Sequence, residues 1–394
     1  MSNPVKIIAT IGPASNKRDI IEKLINNGVD VFRFNFKHNE SEWHAETIGL
    51  VREVAKQIGS NVAILLDLPG PRVRLDLGKE KIDVKKDQLF SVEGELADGN
   101  FIRISHPEVI NKLQSGHKVM ADDGAFDFRV EVIKGKKFLR SESSGVLKNN
   151  KSVNFVDVDI DLPIIEERDI EGLRLAGAVG IDFIALSSVK DENDIKYLRG
   201  EMKKAGMDAD IISKIETRGA IDNIDKIIEF SDGIMVARGD LGVEIPIEQV
   251  PYYQKIVVRK CIERGVPVII ATQMLHSMVD NSYPTRAEVS DVANAAYELA
   301  DAVMLSAETA FGNYPAEAVS MMRNISEFNS RKFDVDTRKK FNFKLDNQAS
   351  ALCDAAYNLY LQSRQKDDKI EGFVVLTQSG KTAKLLSRYR PAAP

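Results

Sequence analysis

The chain has very few cysteines, and their scarcity excludes two kinds of stabilised structure. Only Cys261 and Cys353 occur among the 394 residues, and each lies in a segment with helical periodicity. A disulfide framework or a thiolate metal site would need several cysteines at short, regular spacing. The five histidines contain no HxxxH or HExxH spacing, which argues against a zinc hydrolase.

The chain also lacks an excess of positive charge and any long apolar segment. Lys and Arg number 54 against 59 Asp and Glu, a net charge of −5, so the composition does not favour a nucleic acid partner. No apolar run reaches the roughly 18 residues that a membrane helix needs, and the N-terminal residues do not resemble a secretory leader. We therefore expect a cytoplasmic protein with no membrane partner.

The sequence does contain apolar runs rich in Val and Ile that alternate with stretches of helical period. Eight such βα units predict an α/β fold of the (β/α)₈ TIM-barrel type. An open doubly wound sheet is the alternative, but no GxGxxG motif follows the first strand. The predicted strands are Val5–Pro13, Val31–Phe36, Val62–Leu68, Phe183–Ser187, Asp210–Glu216, Gly233–Arg238, Val266–Thr272 and Ala302–Ser306.

The alternation of predicted strands and helices is interrupted after the third strand. Residues 70–157 contain short, alternating, turn-rich segments, which predict a small β-rich lid domain inserted into the barrel. We expect the barrel domain to comprise residues 1–69 and 158–335. We expect residues 336–394 to form the start of an α/β C-terminal domain, with a helix near Gln348–Ser363 and a strand at GFVVL (372–376). We expect this domain to be incomplete.

The segment DIISKIE (210–216) ends an apolar strand with two opposite charges. Lys214 and Glu216 are two residues apart, so in a strand they project to the same face. Asp240 follows the next apolar run and supplies a second carboxylate. An ordinary ion pair at a strand end is one interpretation. Two carboxylates and a lysine also suit Mg²⁺ and a phosphate group.

The other predicted strands end in polar residues as well. In a (β/α)₈ barrel the reactive groups gather at the C-terminal ends of the strands. As a set, these residues describe a basic, Mg²⁺-capable anion site that is suited to phosphoryl chemistry. They are Arg33, Asn35, Lys37, Asp67, Ser187, Lys190, Lys214, Glu216, Arg238, Asp240, Thr272, Gln273, Ser306 and Glu308.

Long motifs around these positions resemble pyruvate kinase, and the resemblance covers the chain from end to end in the family's order. It implies transfer of a phosphoryl group from phosphoenolpyruvate to ADP, giving pyruvate and ATP, the last step of glycolysis. It also implies a Mg²⁺ cofactor, with Mn²⁺ as a second candidate, and a homotetramer. The motifs are KIIATIGPAS, FRFNFKHNE, IISKIE, DGIMVARGDLGVEIP, ATQML, PTRAEVSDVANA and MLSAETAFGNYP.

The resemblance also implies roles for individual residues. Glu216 and Asp240 match the family's Mg²⁺ ligands, and Lys214 matches the lysine that stabilises the transferring phosphoryl group and the enolate. Thr272 and Ser306 match residues of the proton path to the enolate carbon. The positions that match substrate contacts are Arg33, Lys214, Gly239, Asp240 and Thr272, and those that match nucleotide or cofactor contacts are Arg74, Lys151 and Asn35. The lid would exclude water from the site.

The chain departs from the family pattern at the place where typical members bind K⁺. The family's NFSH and DTKGPEIR read NFKH and DLPGPRVR here, so Lys37 replaces a serine and Arg72 replaces a glutamate. Of the residues at this site only Asn35 and Asp67 keep their identity. Like charges a few ångströms apart repel by about 1–4 kcal/mol. We therefore expect that Lys37, helped by Arg72, replaces the monovalent cation and that K⁺ is not required.

Two other functions remain open on the sequence. A Mg²⁺-dependent aldolase or lyase of the phosphoenolpyruvate/pyruvate barrel type would share the Glu and Asp metal pair but would need no lid. An inactive regulatory relative is favoured only by the altered cation site and the incomplete C-terminal unit. The intact Lys214, Glu216, Asp240 and Thr272 argue against inactivity.

Overall fold

A computed structural model describes residues 5–93, 100–122, 124–156, 158, 160, 162–332, 340–363 and 370–391. Eight parallel strands among them form a closed barrel in the order β1-β17-β16-β15-β14-β13-β3-β2. The strands in chain order are β1 (Lys6–Thr10), β2 (Val31–Asn35), β3 (Ala63–Asp67), β4 (Leu75–Asp76), β5 (Lys81–Val84), β6 (Leu89–Ser91), β7 (Arg103–Ile104), β8 (Lys118–Ala121), β9 (Phe126–Ile133), β10 (Lys136–Ser141), β11 (Gly145–Lys148), β12 (Val153–Phe155), β13 (Phe183–Leu186), β14 (Asp210–Ile215), β15 (Gly233–Ala237), β16 (Val268–Ala271) and β17 (Ala302–Leu305). The TIM-barrel prediction is confirmed.

The barrel strands are short, apolar and buried on both faces, as their composition predicts. One set of side chains points into the barrel, where Ile8, Leu65 and Met235 are among those that fill the interior. The opposite set packs against the surrounding helices in a larger core. The C-terminal ends of these strands carry polar side chains such as Arg33, Asp67 and Lys214, and we call this edge of the barrel the mouth.

Helices follow the barrel strands, and the four that begin at Glu167, Glu192, Arg218 and Arg286 carry a side-chain cap. Asp191, for example, accepts a hydrogen bond from Asn193 N at 2.7 Å at the start of its helix. The helices are α1 (Arg18–Asn26), α2 (Ser41–Gln57), α3 (Glu167–Val179), α4 (Glu192–Lys204), α5 (Arg218–Asp222), α6 (Ile224–Phe230), α7 (Arg238–Glu244), α8 (Val250–Arg264), α9 (Arg286–Tyr297), α10 (Ala307–Ala310), α11 (Pro315–Lys332), α12 (Gln348–Ser363) and α13 (Lys381–Ser387).

The segment between β3 and α3, which we call the insertion, is built from short strands. Its largest sheet has five strands in the order β12-β8-β9-β10-β6, and β11-β5 and β4-β7 form two smaller pairs. These strands enclose a separate apolar core that includes Phe90 and Phe128, whose rings meet edge to face at 6.1 Å. The exact boundaries 70 and 157 of the predicted domain remain a prediction.

The C-terminal residues pack around a small aromatic cluster. Tyr357 of α12 stacks on Tyr389, with ring centroids 4.8 Å apart. The strand predicted at residues 372–376 is not formed, because no described segment lies beside it to pair with and a lone strand is not stable. These residues still alternate: Phe373 and Val375 pack on the cluster, while Val374 is 95% exposed.

Among the residues that the structure describes, no helix combines the length and the apolar character that crossing a membrane would require.

Candidate active site

Four charged side chains from the ends of β2, β3 and β14 meet at the mouth. Arg33 of β2 donates from Nε to Asp67 Oδ2 at 2.7 Å, and its Nη2 lies 2.6 Å from the same oxygen. Lys214 of β14 places its Nζ 3.2 Å from Asp67 Oδ1 and 2.7 Å from Glu216 Oε1. We call these four residues the mouth network. Two cations and two carboxylates therefore share one buried chain of contacts.

Burial and the neighbouring charges act in opposite directions on the pKa of Lys214. Burial alone would lower it, but the carboxylates of Asp67, Glu216 and Asp240 raise it above its ordinary value. A lysine that is buried yet held as an ammonium brings a fixed positive charge to the mouth. This is the arrangement needed to stabilise negative charge that appears during a reaction.

Glu216 and Asp240 face the same cleft and are suited to a divalent cation. Glu216 Oε2 accepts from Ser188 N at 2.8 Å, and its buried Oε1 lies 2.7 Å from the Lys214 ammonium. Burial raises the pKa of Glu216, the nearby Lys214 ammonium lowers it, and the charge of Asp240 raises it further. A cation between the two carboxylates would relieve both the burial and the repulsion.

The number of protein ligands also fits Mg²⁺. The described residues hold no group of three or more His, Cys, Asp or Glu side chains placed to share a metal ion. Glu216 and Asp240 would therefore supply two ligands and leave the remaining positions to water and substrate oxygens. Mg²⁺ is commonly bound in this way, through one or two carboxylates together with phosphate oxygens.

Thr272 lies just beyond β16 in a backbone conformation that few threonines adopt, with φ at +68°. Its Oγ1 accepts from Gly239 N at 2.8 Å, and its carbonyl oxygen accepts from Arg238 Nη2 at 2.7 Å. Left-handed backbone at a β-branched residue costs energy and is concentrated at functional sites. These contacts fix the Thr272 hydroxyl next to the first turn of α7, which carries Asp240.

Ser306, at the end of β17, carries a buried hydroxyl with no hydrogen-bond partner among the described residues. Its backbone N–H donates to Glu308 Oε2 at 2.7 Å, and Glu308 Oε1 accepts from Leu275 N at 3.1 Å. Glu308 therefore joins the loops that follow β16 and β17. An unsatisfied buried hydroxyl of this kind is a natural position for a bound water.

A cleft of about 390 Å³ separates the mouth from the insertion. Glu216 and Asp240 lie on its barrel side, and Arg72 lies on its insertion side. Asn154 of the insertion donates from Nδ2 to Glu244 Oε1 of α7 at 3.4 Å, a contact that spans the two sides. The lining is Pro71, Arg72, Val73, Ser152, Val153, Asn154, Phe155, Val158, Ile160, Leu162, Ser188, Lys190, Glu216, Thr217, Arg218, Gly219, Asp240 and Glu244.

Two residues with a predicted nucleotide role have partners within the insertion. Arg74 donates from Nη1 to Asn150 O at 2.8 Å, and Lys151 Nζ lies 2.6 Å from Asp122 Oδ1. Neither residue belongs to the described lining of the cleft. Their predicted contact with a nucleotide stays a prediction.

Asn35 and Asp67, which match the family's K⁺ site, are already engaged by other groups. Asn35 Oδ1 accepts from Lys37 N at 3.2 Å, and both oxygens of Asp67 face Arg33 and Lys214. Partial burial lowers the pKa of His38, and the charges of Lys37, Arg72, Arg33 and Arg74 lower it further, in that order. This corner of the mouth is therefore strongly positive.

The sequence reasoning omitted one residue of the mouth, Thr10 at the end of β1. Its Oγ1 accepts from Arg33 Nη1 at 2.9 Å. The rule that identified the other strand ends, applied to the first strand, would have found it. The backbone N–H of Ser188 was also missed, because a main-chain donor leaves no signal in residue type.

Comparison with known proteins identifies relatives along nearly the whole chain. The family model described as "Pyruvate kinase, barrel domain" matches residues 2–319. The pyruvate kinase of Staphylococcus aureus strain MRSA252 is 41% identical over 392 residues, which cover 98% of this chain and 66% of that protein. The pyruvate kinase of Bacillus licheniformis is 40% identical over 396 residues, which cover 99% of this chain and 67% of that protein. The chain thus spans about two thirds of the length of these relatives.

Proposed function

Since the chain belongs to the pyruvate kinase family, we propose that it transfers the phosphoryl group of phosphoenolpyruvate to ADP, giving pyruvate and ATP. The observation that carries this proposal is the mouth network. It holds an ammonium and a guanidinium beside two carboxylates, and one of these, Glu216, lines the cleft. Phosphoryl transfer depends mostly on positioning and on stabilising charge, and this network supplies both.

The two cations of the network have separate tasks. Arg33 donates to Asp67 from one edge of its planar guanidinium. The remaining N–H groups of that guanidinium suit the phosphate oxygens of the substrate. Lys214 holds its charge where the phosphoryl group leaves and where the enolate oxygen is left behind. Because both are anchored to the same carboxylate, their spacing is fixed before the substrate arrives.

Glu216 and Asp240 would hold Mg²⁺, or Mn²⁺ as the second candidate, and the ion would neutralise charge on the substrate oxygens when bound. Support comes from the charge of Asp240, which raises the pKa of the buried Glu216 carboxyl, and from the cleft that both residues line. Gly239 contributes its backbone N–H, which orients the hydroxyl of Thr272.

Pyruvate forms when the enolate carbon receives a proton. We assign the final proton donation to Thr272, whose hydroxyl is held by Gly239 N at the first turn of α7, the turn that carries Asp240. Ser306 would pass the proton to it through a water that occupies the space beside its unpartnered hydroxyl. Arg74 and Lys151 would contact the nucleotide phosphates once the insertion has closed over ADP.

Catalysis by this chain should not require K⁺. Lys37 and Arg72 add two positive charges to the corner around His38, and the oxygens of Asn35 and Asp67 already accept from other donors. A monovalent cation entering this corner would be repelled by about 1–4 kcal/mol for each close like charge. The lysine ammonium supplies the charge that the ion would have brought.

The first experiment mixes phosphoenolpyruvate, ADP and MgCl₂ with the purified chain and measures pyruvate and ATP in separate coupled assays. Equal amounts of both products, and none when the metal is chelated, are expected. Pyruvate without ATP would instead indicate a lyase or phosphatase activity. Absence of both products would refute the proposal.

The second experiment repeats the assay in KCl and in tetramethylammonium chloride at constant ionic strength. The initial rates should agree within about twofold, because Lys37 already provides the positive charge. A saturable stimulation by K⁺ well above that level would reject the role of Lys37. The predicted homotetramer and the cytoplasmic location remain predictions.

A further inference from the structure

Two buried hydroxyls at the mouth make the same pair of hydrogen bonds. Thr10 Oγ1 accepts from Arg33 Nη1 at 2.9 Å and donates to Leu305 O at 2.9 Å. Ser187 Oγ accepts from Lys214 Nζ at 2.7 Å and donates to Leu68 O at 2.7 Å. Thr10 is 4% exposed and Ser187 is 1% exposed. Each cation of the mouth network thus donates a hydrogen bond to one buried hydroxyl.

The polarity of these bonds is fixed by chemistry. A hydroxyl has a single proton, and here a main-chain carbonyl takes it, so a lone pair is left to face the cation. Arg and Lys are donors only, so they match that lone pair. The carbonyls of Leu305 and Leu68 belong to the ends of neighbouring strands. They therefore orient each hydroxyl as rigidly as the barrel itself.

A neutral hydrogen-bond acceptor beside each cation has an advantage that a further carboxylate would lack. Asp67 and Glu216 already balance the two cations of the network. A further negative charge would cancel the field that the substrate phosphate needs, whereas a hydroxyl orients a cation and leaves its charge unchanged. Hydrogen bonds to a charged donor are also stronger than those between neutral groups.

The packing around Ser187 shows that its position is constrained. Gly70 lies against it with φ at +64°, and a Cβ at Gly70 would come within 2.9 Å of Ser187 Cβ. Gly70 N also donates to Asp169 Oδ1 at 3.1 Å, which fixes the point where the chain leaves the barrel for the insertion. The position of Ser187 is therefore fixed by its packing against Gly70 and by its hydrogen bond to the carbonyl of Leu68.

We propose that Thr10 and Ser187 are positioning residues, each of which aims one cation of the mouth network at the substrate. Ser187 sets the position of Lys214 and thereby the phosphoryl transfer step. Thr10 sets the position of Arg33 and thereby the binding of the substrate phosphate. This inference rests on the proposed function, since it assigns the two cations to binding and to transfer.

The test is a split between kcat and KM in two variants. Ser187→Ala should lower kcat about tenfold to a hundredfold while KM for phosphoenolpyruvate changes less than about threefold. Thr10→Val should raise that KM about tenfold and leave kcat within about threefold, because the lost contact acts on the bound phosphate. A purely structural role would move both constants together in both variants.

Three further variants separate the hydroxyl from its volume. Ser187→Cys fills the same space with a poor acceptor and should behave like Ser187→Ala. Thr10→Ser keeps the hydroxyl and should restore the KM that Thr10→Val loses. Ser213→Ala removes a buried hydroxyl on β14 that bonds Ser231 Oγ at 2.7 Å, outside the mouth network, and should leave both constants within about twofold.

Calorimetric titration with phosphoenolpyruvate and MgCl₂, without ADP, provides a readout that needs no transfer. Thr10→Val should weaken binding about tenfold and Thr10→Ser should not. If the wild-type chain binds but transfers nothing, the proposed function fails and this titration still decides the inference. Equal binding by wild type and Thr10→Val, no binding by the wild type, or a wild-type kcat in Ser187→Ala would overturn it.

Discussion

The barrel mouth and the insertion lie on opposite sides of one cleft, and they hold their ion pairs in different surroundings. At the mouth, the side chains of Lys214 and Glu216 are 7% and 6% exposed. In the insertion, Lys151 and Asp122 form an equally short pair, yet their side chains are 39% and 23% exposed. Similar distances therefore do not imply similar energies.

Solvent accounts for the difference between the two regions. Breaking a buried pair leaves a charge that water cannot reach, which typically costs about 3–5 kcal/mol, while an exposed pair contributes about 0–1 kcal/mol. The mouth network is also continuous, because Asp67 contacts both cations. We infer that the barrel carries the chemistry and that the ion pairs of the insertion can be altered with little consequence. Four variants test this contrast, beginning with the one expected to have the largest effect.

Replacing Lys214 by Met should lower kcat at least about 10²- to 10³-fold, the loss seen when one group that stabilises a transition state is removed. The variant also leaves Glu216 buried without its cation, so the chain should lose about 3–5 kcal/mol of unfolding free energy. Steady-state kinetics and urea unfolding measure the two effects. The control is Lys226→Met, at an exposed pair with Glu229. A Lys214→Met variant as active as that control would contradict the assigned role.

Asp67→Asn should be the next most damaging change, because it removes the charge shared by Arg33 and Lys214. We expect a loss of about 3–5 kcal/mol in stability and a clear decrease in kcat/KM. Asp225→Asn is a matched control, since Asp225 also accepts from two cations, Lys260 and Arg264, but its side chain is 55% exposed. Equal destabilisation by both variants would show that burial does not separate the two kinds of site.

The Asp67 carboxylate should also affect how the unfolding free energy falls at low pH. Burial alone would raise the pKa of Asp67, but the charges of Lys214 and Arg33 lower it below its ordinary value. A group whose pKa falls on folding stabilises the native chain above its unfolded pKa of about 3.9 and loses that contribution as the pH drops through the folded value. Wild-type unfolding free energy should therefore decrease below about pH 4 more steeply than that of Asp67→Asn, in urea titrations at several pH values.

These contrasts also mark how far the sequence could predict the molecule. Strand periodicity and the rule of reactive strand ends placed Lys214 and Glu216 correctly, because a barrel brings all eight strand ends to one edge. The helix α7 was missed, since the two glycines in RGDLGVE weaken helix propensity although tertiary contacts override it. Partners such as Asp122 for Lys151 depend on contacts across the insertion, which residue types alone do not determine.

The basic corner of the mouth offers a smaller effect that sharpens the comparison. The double variant Lys37→Ser with Arg72→Glu restores the family's residue types at these two positions and replaces two positive charges by one negative charge. We expect K⁺ to stimulate its kcat/KM about tenfold and in a saturable manner, while the wild type stays insensitive. Parallel assays in KCl and tetramethylammonium chloride measure this. If K⁺ fails to stimulate the double variant, charge at this corner is not what determines the cation requirement.

The smallest change is expected in the insertion, at Lys151. Lys151→Met breaks the exposed pair with Asp122, so unfolding free energy should fall by less than about 1 kcal/mol. If Lys151 contacts the nucleotide when the insertion closes, KM for ADP should still rise a few-fold with kcat nearly unchanged, because only ground-state binding is lost. Lys118→Met is the matched control, since Lys118 also lies in the insertion and forms a 3.0 Å ion pair with Asp127. Identical ADP constants in the two variants would remove Lys151 from the nucleotide site, and a kcat loss like that of Lys214→Met would show that the insertion, too, carries part of the chemistry.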